Sequence, residues 1–320
     1  MAANVQHHKR FRVNEIAPGM NIFLTILMTI LAVLTVVPLI LVIIVSFSSA
    51  ESLARYGYSF IPNESSVKAY TNLFKTGSTL VDSYIITIFY TFVGTLLSLL
   101  VMSMYAFVLA QKDFKPRRGF AFYTFFTTLF SGGLVPSYIL NVRYLHLNDT
   151  VWIYLLPGLV GAFNVIILRT FVQTSIPDTL FEAAKIDGAN DWTVYWRIVL
   201  PLFKAGLATI GLFNVVSRWN DWFTGVLYIE NPKLVPLMTM LQRLQANLDY
   251  IKNNSNVANS REGMEMLRNI PTESTRMAIT IIATLPLLVG RLYHRKIHGI
   301  PDSIPDIKMY RQPYCLKQNL

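Results

Sequence analysis

Four long stretches of this chain contain no Asp, Glu, Lys or Arg: Ile16 to Ala50, Ser83 to Gln111, Gly119 to Val142 and Thr150 to Leu168. A helix needs roughly 20 predominantly apolar residues to cross the hydrocarbon core of a bilayer. Each stretch reaches that length or comes close to it. Composition agrees: 53% of the residues are hydrophobic and only 14% are charged, against about a quarter charged in soluble domains. Much of the surface is therefore expected to face lipid.

Two further spans are less clean. Ala205 to Ile229 is apolar apart from Arg218, Asn220 and Asp221, and Met277 to Gly290 is apolar but short. The expected fold is an all-α membrane protein with six transmembrane helices, near 20–47, 82–110, 120–141, 151–171, 205–228 and 276–293. The first run exceeds the 7–15 apolar residues of a cleaved signal peptide, and no A-x-A-like site follows it. Pro38 within it is expected to kink the helix.

The net charge is +10, and its distribution reports topology rather than nucleic-acid binding. Lys9, Arg10 and Arg12 precede the first span; Lys112, Lys115, Arg117 and Arg118 follow the second; Arg291, Arg295 and Lys296 follow the last. With an even number of spans all three groups fall on one side. Short loops rich in Lys and Arg stay in the cytoplasm, so both termini are expected to be cytoplasmic. Cys315 is the single cysteine and excludes an intrachain disulfide. No metal site is expected from the five histidines (His7, His8, His146, His294, His298).

The chain then divides into a cytoplasmic tail (1–19), a first span with an outer segment (20–81), a core of five spans (82–293) and a tail (294–320). The outer segment Ser48–Val81 reads as polar and loop-like, with an amphipathic stretch at Ser66–Phe74. In the second outer segment, Asn231–Thr275, a helix is expected over Leu234–Leu248, followed by a loop rich in Asn (253, 254, 256, 259). Gly132, Gly133 and Pro136 weaken the third span and free backbone carbonyls. At membrane depth such carbonyls need protein or a watery cavity, so this break is either a packing kink or part of a pathway. Pro157 and Gly158 do the same in the fourth span.

The loop 175–204 is the most informative segment. Pro177 presets the first turn of a helix and Asp178 is placed to cap it. A helix is expected over Thr179–Ile186, ended by Gly188. Asp191 is placed to cap a second helix, Trp192–Leu200, and Pro201 marks entry to the fifth span. Phe181, Ala184 and Ile186 offer apolar contacts and Glu182, Lys185 and Asp187 polar ones. The small Ala183 and Ala184 permit close approach to another surface. The pattern suits a helix docking into a groove of another protein. The alternative, a helix resting on the bilayer, conflicts with four acidic residues (Asp178, Glu182, Asp187, Asp191) facing a negatively charged leaflet.

Glu182-Ala183-Ala184, three residues, Gly188, nine residues, then Ile198-x-Leu200-Pro201 resembles the EAA motif of type I ABC importer permeases, at every fixed position. The resemblance runs from about Asp82 to Leu288. Phe130–Pro136 and Arg218–Phe223 look like the carbohydrate-uptake branch, especially permeases for oligosaccharides and polysaccharide fragments. It implies that the loop is a coupling helix seated in a cleft of an ATPase, through Glu182, Ala183, Ala184, Asp187, Gly188, Ile198, Leu200 and Pro201. It also implies a second homologous permease, a pair of ATP-binding subunits and an extracellular solute-binding protein. No G-x-x-x-x-G-K-[ST] phosphate loop occurs, so ATP and its Mg are expected on the partner ATPase, with no cofactor here and no enzymatic activity of the chain's own. A permease for a non-sugar solute and a non-transporting membrane scaffold are the competing readings.

Arg218, Asn220 and Asp221 lie near mid-span of the fifth helix, flanked by Trp219 and Trp222. Charged groups there are costly and face a cavity or one another. Sugars are held by hydrogen-bonding side chains and aromatic faces, so these five residues, with Gly132, Gly133 and Pro136, are the candidate substrate pathway. The competing reading is an Arg218–Asp221 pair meeting across one turn. Permeases of this kind typically continue the last span and end soon after it. Here a basic and then polar, Pro-containing stretch follows Gly290, which reads as a diverged terminus or a change of frame, in a membrane protein of the bacterial cytoplasmic membrane.

Overall fold

The computed structural model describes residues 18–75, 78–254 and 272–298. Lys9, Arg10, Arg12, Asn256, Asn259, Cys315 and the tail from 299 onwards lie outside the described residues. All regular structure among the described residues is helical, apart from one isolated antiparallel bridge between Ser48 and Ser65.

The chain forms two units. The first comprises Met1–Leu73 and Pro271–Ile281. Its long helix α1 (Pro18–Ser46) carries Pro38 and is apolar on nearly every face, as a lipid-facing span must be. The following segment is more structured than its polar sequence led us to expect. It holds α2 (Ala50–Tyr56) and α3 (Lys68–Lys75). The Ser49 hydroxyl caps α2 by accepting from the Ser52 amide at 3.0 Å. The bridge closes the intervening loop through Ser49 N to Glu64 O and Ser66 N to Phe47 O. The amphipathic stretch at Ser66–Phe74 does form a helix, and its Tyr70 stacks on Phe47 at 5.0 Å while meeting the Ser46 hydroxyl at 2.9 Å.

The second unit comprises Phe74–Ile270 and Ile282–Leu320. Its axis is α4 (Ser78–Ala110), against which α8 (Ala162–Ser175) and α12 (Lys204–Trp219) pack. Two buried apolar clusters sit at opposite ends of α4. One includes Met102, Phe107, Leu168, Val172, Ala184, Tyr195 and Phe203. The other includes Ile86, Tyr90, Leu147, Tyr154, Tyr228 and Val235.

Three of the expected spans are interrupted. The third is α5 (Arg117–Leu129) and α6 (Leu134–Ile139), the latter extended by a π-helical turn (Leu140–Tyr144); the chain turns through 112° between them. The break falls at Ser131–Gly133, where Gly133 takes φ +86°, a conformation closed to most L-residues. The fourth is one turn, α7 (Trp152–Leu155), then a non-helical stretch through Pro157 and Gly158 before α8. The fifth is α12, a break at Asn220–Trp222, and α13 (Phe223–Tyr228). Among the described residues two helices, Gly19–Ser46 and Thr79–Ala110, are long and apolar enough to cross a bilayer, and two bent pairs are so when each is taken as one span.

Beyond α13, the helix expected at Leu234–Leu248 is shifted to α14 (Leu237–Asn253), because Pro236 cannot continue a helix begun before it. The last helix, α15 (Glu273–His298), contains Pro286. Proline has no N–H for the carbonyl four residues back, here Ile282. The Tyr84 hydroxyl donates to that carbonyl at 2.5 Å. The Trp219 indole donates to the adjacent carbonyl of Ala283 at 2.9 Å.

Candidate functional site

The loop expected between the fourth and fifth spans is a helix, a glycine turn and a second helix. The first is α9 (Asp178–Ile186). It starts one residue earlier than expected, so Pro177 is its cap and Asp178 sits inside its first turn, where its charge complements the free amides. Gly188 takes φ +73°, and its amide donates to Lys185 O at 3.0 Å. The second helix begins at α10 (Asp191–Val194), and its cap is Asn190, whose side chain accepts from the Thr193 amide at 2.8 Å. Asp191 is the first helical residue rather than the cap. The chain continues through a π-helical turn (Tyr195–Val199) and α11 (Leu200–Leu202). It then bends by 77° at Phe203 into α12, so Pro201 lies one turn before the span.

The two alanines of the motif do different things. Ala184 is 6% exposed and belongs to the same apolar cluster as Phe107, Val172, Tyr195 and Phe203. Glu182 and Ala183 are exposed, as are Asp187, Gly188 and Pro201; Ile198 and Leu200 are half-buried against the cluster. Phe181 faces inward and tilts against Phe107 at 6.4 Å. Ile186 is 87% exposed. Ala183 and Ile186, three apart on one helix face, thus form an outward apolar strip beside Glu182 and Asp187. Phe181, Ala184 and Lys185, grouped in the sequence reading with the outward contacts, are engaged within the chain.

Two exposed ion pairs fasten α9 to the short basic loop after α4. Lys112 pairs with Asp178 near the start of α9, and Asp113 pairs with Lys185 near its end. Deeper in, the Tyr195 hydroxyl meets the Ser103 hydroxyl of α4 at 2.7 Å. The loop is therefore one body with the end of α4 and the start of α12.

The candidate pathway residues fall into two groups. Arg218 is 9% exposed and Trp219 is buried. Arg218 makes no ion pair with Asp221. Its Nη1 donates to Tyr154 O at 2.7 Å, and its Nη2 donates to the Ser98 hydroxyl at 2.7 Å and to Gly158 O at 2.9 Å. Asp221 instead accepts from the Thr224 amide in the first turn of α13, at 3.1 Å. Asn220 and Trp222 face outward, and Asp221 is partly exposed. Trp222 stands edge-on to Phe223 at 5.7 Å. Gly132, Gly133 and Pro136 are also exposed, at the bend between α5 and α6.

Two anchors had no clear signal in the sequence. Asp149, at φ +54°, accepts from the amides of Glu230 (3.1 Å) and Asn231 (2.8 Å). Arg243 of α14 donates to Gly225 O (3.1 Å) and Ile229 O (2.5 Å). Together they hold the middle and the C-terminal end of α13 in place beyond the break at 220–222.

Residues 65–295 match the family described as binding-protein-dependent transport system inner membrane component. The polygalacturonan/rhamnogalacturonan transport system permease protein YtcP of Bacillus subtilis is 34% identical over 258 residues, covering 81% of this chain and 87% of that protein. Protein LplC of the same organism is 36% identical, covering 80% and 83%. Among solved structures, a bacterial ABC transporter involved in the import of the acidic polysaccharide alginate aligns with a TM-score of 0.76 at 29% identity, over 88% of this chain and 98% of that one.

Proposed function

The chain belongs to the family of binding-protein-dependent transport system inner membrane components, and on that premise we propose that it is the permease subunit of a bacterial ABC importer for oligosaccharides or polysaccharide fragments. The observation that carries this reading is the presentation of Ala183 and Ile186 on a helix whose other face is locked into the permease core. The transport roles named for YtcP and for the alginate importer support the substrate class.

The chain crosses the bacterial cytoplasmic membrane six times with both ends in the cytoplasm. Its spans are α1, α4, α5 with α6, α7 with α8, α12 with α13, and α15. Two facts support this topology: the basic residues group after even-numbered spans, and the Lys112–Asp178 and Asp113–Lys185 pairs join the loops after the second and fourth spans. A second permease completes the pathway, an extracellular binding protein delivers the sugar, and two ATP-binding subunits hold ATP and Mg.

The mechanical step belongs to α9. ATP-driven closure of the ATPase pair displaces the helices seated in it. Phe181, Ala184 and Tyr195 share one core with Phe107 of α4 and with Phe203 at the start of α12. Close-packed interiors transmit displacement rather than absorb it, so movement of α9 is passed to both spans. The far end of α12 carries the break at 220–222, where Asn220, Asp221 and Trp222 offer hydrogen-bonding groups and an aromatic face to the sugar, opposite the glycine bend at Gly132, Gly133 and Pro136 in the assembled pathway. Arg218 and Trp219 stand behind them.

Uptake of labelled galacturonan oligosaccharides tests the pathway. Asn220→Ala and Trp222→Ala are expected to lower uptake at least fivefold at normal expression and ATPase assembly. Unchanged uptake in both removes these residues from the pathway.

A further inference from the structure

Arg218 is a buried cation near the middle of a membrane span, and no carboxylate lies within ion-pair distance of it among the described residues. A charge in that position is retained only where strong acceptors replace water. Its acceptors are two backbone carbonyls, Tyr154 O and Gly158 O, together with the Ser98 hydroxyl. Tyr154 O lies in the last turn of α7 and Gly158 O in the interruption that follows it; the last carbonyls of a helix are left without an amide partner. The guanidinium fork suits this task, since it presents several donors in one rigid plane.

The surroundings are shaped to receive it. Gly94 of α4 lies against the guanidinium: a Cβ there would sit 2.6 Å from Nη1 and 2.9 Å from Cζ. Tyr90, one turn earlier on α4, donates its hydroxyl to the Arg218 carbonyl at 2.6 Å and stacks on Tyr154 at 4.7 Å. Arg218 thereby ties together α4, the interruption at 156–161 and the end of α12. Position 218 also lies 14 residues beyond Lys204, the first residue of α12. At 1.5 Å per residue that is roughly 20 Å from the coupling loop. Two residues further on the helix breaks at Asn220.

We propose that Arg218 is a positioning residue of the transport cycle: its guanidinium grips the carbonyls of the interrupted fourth span, so that displacement of α12 by the coupling loop moves that interruption with it. This inference rests on the importer reading. It assigns Arg218 away from sugar contact and to the link between the ATPase and the pathway.

The test uses the assembled transporter in proteoliposomes: both permeases, the ATPase subunits and the binding protein. ATP hydrolysis per assembled complex is compared with and without binding protein and galacturonan oligosaccharides. Wild type is expected to be stimulated by them; absence of stimulation by these and by alginate fragments alike refutes the acidic-polysaccharide importer reading on which the test rests, whatever Arg218 does. Arg218→Gln and Arg218→Lys are expected to lower the stimulated-to-basal ratio at least fivefold, Lys being insufficient because it lacks the fork. Gly94→Ala, which leaves Arg218 in the chain and pushes its guanidinium aside, is expected to lower the ratio at least twofold. A purely structural role would reduce the amount of complex and leave the ratio per complex unchanged. If wild type is stimulated and whichever of these variants assemble keep its ratio, the proposal is overturned. If none assembles, the proposal is overturned in favour of a folding role.

Discussion

Ala183 and Ala184 are neighbours in the chain, about 100° apart around α9, and only one is buried: Ala184 belongs to the apolar cluster that includes Val172, Val194 and Phe203, while Ala183 is open on the outer face of α9. The same substitution at the two sites therefore has different consequences. Ala184→Leu overpacks the permease core and is expected to destabilise the chain by about 1–3 kcal/mol. Ala183→Leu is expected to leave the melting temperature of the permease unchanged while reducing recovery of the ATPase with it at least fivefold. Melting and co-purification of each variant separate the two effects.

Ile186 is the most exposed large apolar side chain of α9. Burying such a side chain stabilises a complex by about 1.5–3 kcal/mol, equivalent to roughly 10- to 150-fold in affinity. Ile186→Asp is expected to weaken ATPase binding by at least that factor, with the permease still folded. Titration of the solubilised permease with ATPase subunits reads it directly.

Gly188 turns the chain at φ +73° with nothing within 4 Å of where a Cβ would stand. The cost of Gly188→Ala is thus conformational, about 1–2 kcal/mol, and not steric. Uptake is expected to fall because α9 is presented at the wrong angle. Gly188→Asn, a residue that tolerates the left-handed region, is expected to restore part of it.

Much of this architecture was legible in the residues. Uncharged runs located α1 and α4 because a membrane demands length and apolarity and little else. Pro177 and Gly188 bounded α9 because each restricts or frees the backbone in one specific way. Less legible were the choice between adjacent candidates and the features that depend on a partner distant in sequence. Asn190 and Asp191 are both good caps, and only the backbone shows that Asn190 takes the role. Pro157 and Gly158 mark a weak point in the fourth span, and Asn220 and Asp221 a polar one in the fifth, but neither pair encodes how far the helix is interrupted; the segment at 156–161 is held by Arg218 from another helix. The near-mid-span position of Arg218 signalled importance, but its neighbour Asp221, three residues away, suggested a pair that the structure does not make. Which alanine of the motif points inward is set by the packing of α9 on Phe107 and Tyr195, and spacing alone does not encode it.

Gly225 and Thr239 are another such distant pair. A Cβ on Gly225 would lie 2.2 Å from the Thr239 hydroxyl and 2.9 Å from its Cβ, and that hydroxyl donates to Trp222 O at 3.0 Å. Gly225→Ala is expected to lower the yield of folded permease severely, and Thr239→Ala in the same chain to restore part of it. Size-exclusion profiles of the detergent-solubilised single and double variants provide the check.

The exposed pairs Lys112–Asp178 and Asp113–Lys185 orient α9 without contributing much energy. Lys185→Ala is expected to cost less than about 1 kcal/mol, and the swap of Asp113→Lys with Lys185→Asp to recover it. Thermal denaturation of the three proteins at low and high salt measures both effects.

The account turns on α9 as the contact through which a separate ATPase drives this permease. Affinity purification of the tagged chain, co-expressed with its second permease and ATPase subunits, tests that most directly. Wild type is expected to bring down the ATPase in stoichiometric amount, and the Ala183→Leu, Ile186→Asp double variant to bring down the second permease but at least tenfold less ATPase. Equal recovery of the ATPase by the double variant would contradict the account.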